Sequence, residues 1–73
     1  MRRFVDSAGN RWDVVLGRES WGTLVLLFVP GDNGPVRQAY FPAKRYDSSA
    51  TELDEMSDAG LQQLLDASEL KTE

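Results

Sequence analysis

The 73-residue chain contains neither cysteine nor histidine. The first absence removes disulfide staples and thiolate metal sites. The second removes imidazole ligands, and together they exclude the Ser-His-Asp and Cys-His arrangements of nucleophilic catalysis. Proline is confined to Pro30, Pro35 and Pro42, so its punctuation acts only in the middle of the chain. Long hydrophobic runs are missing as well. The longest, Leu24 to Val29, falls far short of the roughly 20 apolar residues that a membrane-spanning helix needs. The basic start Met1-Arg2-Arg3 is followed by Phe4-Val5 and then at once by Asp6, which leaves no apolar stretch for a leader. Cytoplasm, with no membrane partner, is the default expectation, and the lack of cysteine agrees with it.

What is present describes a folded domain. Hydrophobic residues make up 41% and charged residues 27%, with 8 Lys plus Arg against 12 Asp plus Glu. That is ordinary globular composition. The length suits one domain, and a chain this short buries only about 60% of the surface it exposes when unfolded. Without disulfides, either tight packing or a second chain must make up the difference.

The first two thirds read as strands separated by turn chemistry. Phe4-Val5-Asp6 is a short strand, and Ser7-Ala8-Gly9-Asn10 is a turn whose glycine can take positive φ. Arg11 to Leu16 places Trp12, Val14 and Leu16 at period two, and Gly17-Arg18-Glu19-Ser20 reads as the next turn. Trp21 to Val29 is rich in β-branched and aromatic residues. Pro30 to Pro35, carrying an Asn-Gly pair, is the clearest loop, and Val36 to Phe41 is the fourth strand, stopped by Pro42. Short connections favour an antiparallel meander. Residues 43–56 read as a polar connection. A helix over 57–70 follows, with Ser57 as N-cap, Asp58 in the first turn and Leu61, Leu64 and Leu65 on one side. Gly60 stands where a capping box would place Glu or Gln, and Lys71-Thr72-Glu73 is expected to fray. The expected class is α+β: a four-stranded antiparallel meander with one C-terminal helix on one face, or alternatively a small SH3-like barrel plus helix.

Pairing Leu16 with Trp21 and Val29 with Val36 sorts the side chains into two faces. Trp12, Val14, Leu16, Trp21, Val25, Leu27 and Tyr40 form the expected core face. Arg11, Asp13, Val15, Leu24, Leu26, Phe28, Arg37, Ala39 and Phe41 fall on the other, and a slip of one residue exchanges members between the sets. A single helix covers one face. The surplus strip Leu24, Leu26, Phe28, Ala39 and Phe41, rimmed by Arg11, Asp13 and Arg37, is therefore expected to be a partner interface for a second copy or another protein. The opposing expectation is a sheet coiled tightly enough for both sides to share one core.

Other chemistry is thinner. The carboxylates Glu52, Asp54, Glu55 and Asp58 cluster at the helix entry, where the helix dipole already favours them, and their spacing specifies no metal. Residues 1–46 carry seven basic against four acidic groups, and residues 47–73 one against eight, giving +3 and −7. The acidic half is a candidate recognition surface for a basic or nucleic-acid-binding partner. A sheet bearing arginines and aromatics also admits single-stranded nucleic acid, although no RNA-recognition signature is present. Trp12 and Trp21 read as core anchors, and Tyr40 and Tyr46 as residues with water-facing hydroxyls. No cofactor is implied. The expected function is a non-enzymatic protein-interaction module.

Overall fold

A computed structural model of the chain describes residues 2–18, 23–41 and 49–71. Strands β1 (Arg2–Val5), β2 (Arg11–Arg18), β3 (Leu24–Pro30) and β4 (Arg37–Tyr40) are followed by helices α1 (Ser49–Glu55) and α2 (Asp58–Asp66) and by a short strand, β5 (Glu69–Leu70). The five strands form one antiparallel sheet in sequential order. The α+β class and the meander are as expected, with one more strand and one more helix than the sequence suggested. Among the described residues the sheet has β1 and β5 at its edges, with no pairing between them to close a barrel.

The additions have physical reasons. α1 lies in the stretch read as polar connection and buries only Ser49 and Leu53, so its seven residues carry no apolar period. β5 buries neither of its side chains, yet it pairs Glu69 with Gln38 and Leu70 with Arg37, and Lys71 N–H donates to Val36 C=O at 2.8 Å. Backbone pairing alone makes it a strand, and that pairing sets no side-chain pattern. The second helix starts as expected. Ser57 is its N-cap, and its Oγ accepts from the Gly60 N–H at 3.1 Å. It stops at Asp66 rather than near residue 70, because the chain turns at Ala67 and Ser68 to reach the edge of β4.

The β2–β3 register departs from expectation. Val14 lies opposite Phe28 and Leu16 opposite Leu26. β2 continues through Gly17 to Arg18, so the expected turn at 17–20 begins too early, and the longer strand changes the parity of the pairing. The β3–β4 register keeps the expected parity, with Leu26 opposite Ala39 and Phe28 opposite Arg37. The core consequently draws on both expected faces: Phe4 and Val14 join Leu26, Phe28, Phe41, Leu53, Leu61 and Leu65 in one cluster, with Trp12, Leu16, Leu24 and Ala39 packed against it. Leu26 and Phe28 are wholly buried. The strip expected to be an interface is therefore the centre of the hydrophobic core. Trp21 and Tyr46, and the basic Lys44 and Arg45, lie outside the described residues.

α2 runs across the strands rather than along them. Nine residues make a helix about 13 Å long, close to the roughly 14 Å separating the first and fourth strands of a sheet. Its start is tied to β1, where Arg2 Nη2 donates to Met56 C=O at 3.0 Å and to Asp58 Oδ1 at 2.9 Å. Its end is tied to β4, where Arg37 Nε donates to Ser68 Oγ at 2.8 Å and Arg37 Nη2 to Ser68 C=O at 2.7 Å. The helix is a strap over one side of the sheet, and among the described residues neither helix covers the other.

Candidate functional site

The residues opposite the helical layer are those pleated away from the core. The pairings arrange them in rows: Val5 beside Arg11; Arg3 beside Asp13 and Val29; Val15 beside Leu27, Gln38 and Glu69; Gly17 beside Val25 and Tyr40. Among the described residues, Val5 is 55%, Val15 36% and Tyr40 69% exposed, with Leu27 and Val29 half-buried between them. Val25 is buried on this side. A Cβ at Gly17 would stand 3.2 Å from Val25 Cγ2 and 3.4 Å from Leu27 Cδ1, so both side chains lean over the glycine. The result is an apolar strip along β3 with single apolar residues on the neighbouring strands.

Charge surrounds the strip unevenly. Arg3 and Arg11 stand on the β1–β2 side, and Arg3 Nε lies 3.9 Å from Asp13 Oδ1 with the arginine side chain 90% exposed. A pair this long and this wet contributes little to stability. Glu69 stands exposed on the β5 side. Of the strip and rim expected to bind a partner, Arg11 and Asp13 are found on this surface. Leu24, Leu26, Phe28, Ala39 and Phe41 serve the core, and Arg37 holds the end of α2. The residues that sequence reasoning assigned elsewhere are Leu27, Val25 and Tyr40, and the signal that finds them is the parity of the β2–β3 pairing.

The acidic cluster separates into unlike roles. Asp54 and Glu55 are exposed on α1, and Glu52 is half-buried. Asp58 is bonded to Arg2 and stands in the first turn of α2, where the helix dipole favours a carboxylate. Among the described residues, no group of three or more carboxylates is placed to hold a metal ion. No helix among them is long and apolar enough to cross a membrane.

A third feature lies at the end of the sheet formed by the β1–β2 turn and the β3–β4 loop. A cleft of about 480 Å³ is lined there by Asn10, Arg11, Trp12, Pro30 and Asp32 among others. The turn is organised by Asp6. Its carboxylate accepts from Trp12 Nε1–H at 2.9 Å, from the N–H groups of Asn10 at 2.8 Å and Ala8 at 2.9 Å, and from the Asn10 amide at 3.3 Å. Gly9 closes the turn at φ +86°, a backbone that side chains disfavour. The Trp12 indole, aided by the Asn10 and Ala8 donors, holds the Asp6 carboxyl below the ordinary carboxylate range, while partial desolvation works in the opposite direction.

A lowered pKa in the folded state means that ionised Asp6 stabilises the fold above the unfolded value of about 3.9, and that this contribution is lost as the pH falls through the folded pKa. Asp6→Asn is therefore expected to be less stable than the parent near neutral pH, with the difference narrowing below about pH 4. Urea melts of both proteins across that range check it. A difference that does not change with pH would assign the loss to shape rather than charge.

Comparison with protein-family models, with curated proteins and with solved structures gives no match to this chain.

Proposed function

We propose that this chain is a non-enzymatic binding module that takes a protein partner on the outer face of its sheet. The observation that supports this reading is the pairing of an apolar strip, Val15, Leu27, Val29 and Tyr40, with a charged margin of Arg3, Arg11 and Asp13. An apolar centre with a polar rim is the usual anatomy of a protein–protein contact. The expected recognition by an apolar sheet face is thus kept, on the face opposite to the one the sequence indicated. Stacking of single-stranded nucleic acid is less well supported, since Phe4, Phe28 and Phe41 are all buried and Tyr40 is the exposed aromatic of the described strands.

The test places a photo-reactive amino acid at position 15 on the sheet or at position 54 on α1. Each protein is irradiated in a cell extract, and the adducts are weighed by mass spectrometry. Adducts at position 15 that Leu27→Glu abolishes are the expected result. Adducts only at position 54 would overturn this reading in favour of recognition through the acidic helix, and adducts only to nucleic acid would replace the protein partner.

A further inference from the structure

Resting on the reading of the sheet as a protein-binding surface, we propose that the partner enters as an added strand at the free edge of β1. The strand it supplies is an extended segment with carboxylates two residues apart.

Main-chain groups make the first argument. Asp6 N–H donates to Asn10 C=O at 2.9 Å, which fixes the residues of β1 that bond to β2. Bonded positions alternate along an antiparallel pair, so Arg2 and Phe4 bond to Val14 and Trp12. Arg3 and Val5 therefore turn their N–H and C=O groups away from the sheet. Both residues are exposed, and no other described strand lies beside them. An edge of this kind is a template for a further strand. The opposite edge is poorer. Lys71 N–H bonds to Val36 C=O, so in the two-residue β5 it is Leu70 alone that faces outward.

Charge makes the second. The Arg3 side chain is 90% exposed and its one ionic contact is the 3.9 Å approach to Asp13. Arg11, beside Val5 in the next strand, is exposed, and its guanidinium has no ion pair or hydrogen bond among the described residues. A cleft of about 470 Å³ is lined by Arg3, Val5, Arg11 and Asp13 among others. Two guanidiniums against one carboxylate favour an anionic partner. Arg2 takes no part, since it is bonded to Met56 and Asp58. The β1 edge of a second copy is disfavoured here, because it would set the arginines of both copies in one short ladder.

Register supplies the third. In an antiparallel added strand the residues opposite Arg3 and Val5 are two apart and share the outer face. A carboxylate opposite Arg3 meets that guanidinium directly. One opposite Val5 continues the row from Val5 to Arg11, with a single strand between. Two strand spacings of about 4.8 Å lie within the joint reach of a glutamate and an arginine side chain. The residue between the carboxylates falls on the side of buried Phe4, where an apolar side chain suits it.

The probe is a fluorescein-labelled peptide, Thr-Glu-Val-Glu-Thr, titrated with the full chain and followed by anisotropy at about 20 mM and about 500 mM salt. Amide hydrogen exchange of Arg3 and Val5 is read by NMR in parallel. Saturable binding that salt weakens is expected, with exchange slowed at both amides. Arg3→Glu and Arg11→Glu are each expected to raise the Kd about tenfold, with an unchanged far-ultraviolet circular dichroism spectrum. Methylating the amide nitrogens of the two glutamates keeps the charge and is also expected to raise the Kd about tenfold. A peptide that does not bind, that binds equally well when methylated, or whose lysine-for-glutamate counterpart binds as tightly, overturns the added strand. Adducts at position 15 beside a peptide that fails overturn the edge alone and leave the outer-face reading standing. A peptide that binds at Arg3 and Val5 while position 15 gives no adduct supports the edge and removes the apolar strip from the contact.

Discussion

Leu26→Glu is expected to unfold this protein, while Leu27→Glu, its immediate neighbour, is expected to leave it folded. Leu26 has no exposed surface and packs among Val14, Phe28, Leu61 and the rest of the core, whereas Leu27 points to the outer face. Removing a buried leucine side chain alone costs about 2–5 kcal/mol. A carboxylate in its place adds the cost of burying an unpaired charge or of holding it protonated. A domain of this length has about 4–11 kcal/mol of stability in all, so the sum reaches the whole of it. Far-ultraviolet circular dichroism of the two variants, followed by urea melts of whichever folds, gives the answer. Two folded variants, or an unfolded Leu27→Glu beside a folded Leu26→Glu, would mean that the register of β2 on β3 is wrong.

The second large effect is expected at Arg37. This arginine lies on the core side of β4, opposite Phe28, and its guanidinium donates twice to Ser68 at the end of α2. Ser68 is itself buried, and its hydroxyl donates onward to Leu65 C=O, so each polar atom of the group has a partner through Arg37 or the helix end. Arg37→Ala leaves two buried acceptors unsatisfied, and the expected loss is about 2–3 kcal/mol in urea melts. Arg37→Lys is expected to recover only a small part of it, because an ammonium does not present the planar fork that reaches both oxygens. Equal stability of the lysine variant and the parent would show that charge, not geometry, is what β4 supplies.

Arg37 and Leu27 also mark how far the sequence could be read. Alternation in β2 and β3 identifies the strands, and Ser57 followed by Leu61 and Leu65 identifies the second helix, because those signals are local. The site depended on a non-local quantity, the number of residues between β2 and β3. Gly17 favours a turn on propensity alone, yet it lies inside β2 beneath Val25 and Leu27. That single displacement moved Leu26 and Phe28 into the core and Leu27 out of it. The role of Arg37 was hidden for a different reason. An arginine in a strand reads as rim, and only the path of α2 across the sheet brings Ser68 to it. β5 was invisible because main-chain pairing leaves no trace in residue type.

The strap that α2 forms is fastened at its two ends by bonds of unlike kind. At β1 the fastening joins a hydrogen bond to Met56 C=O with an ion pair whose aspartate side chain is 74% exposed to water, so added salt weakens the second of them. At β4 the guanidinium grips a neutral hydroxyl and a carbonyl, and no carboxylate among the described residues is paired with it. Rising ionic strength therefore acts on the molecule asymmetrically. It slackens the fastening on the first strand and spares the one on the fourth, so the fold has a preferred end from which to open, and the solvent rather than the sequence order chooses when.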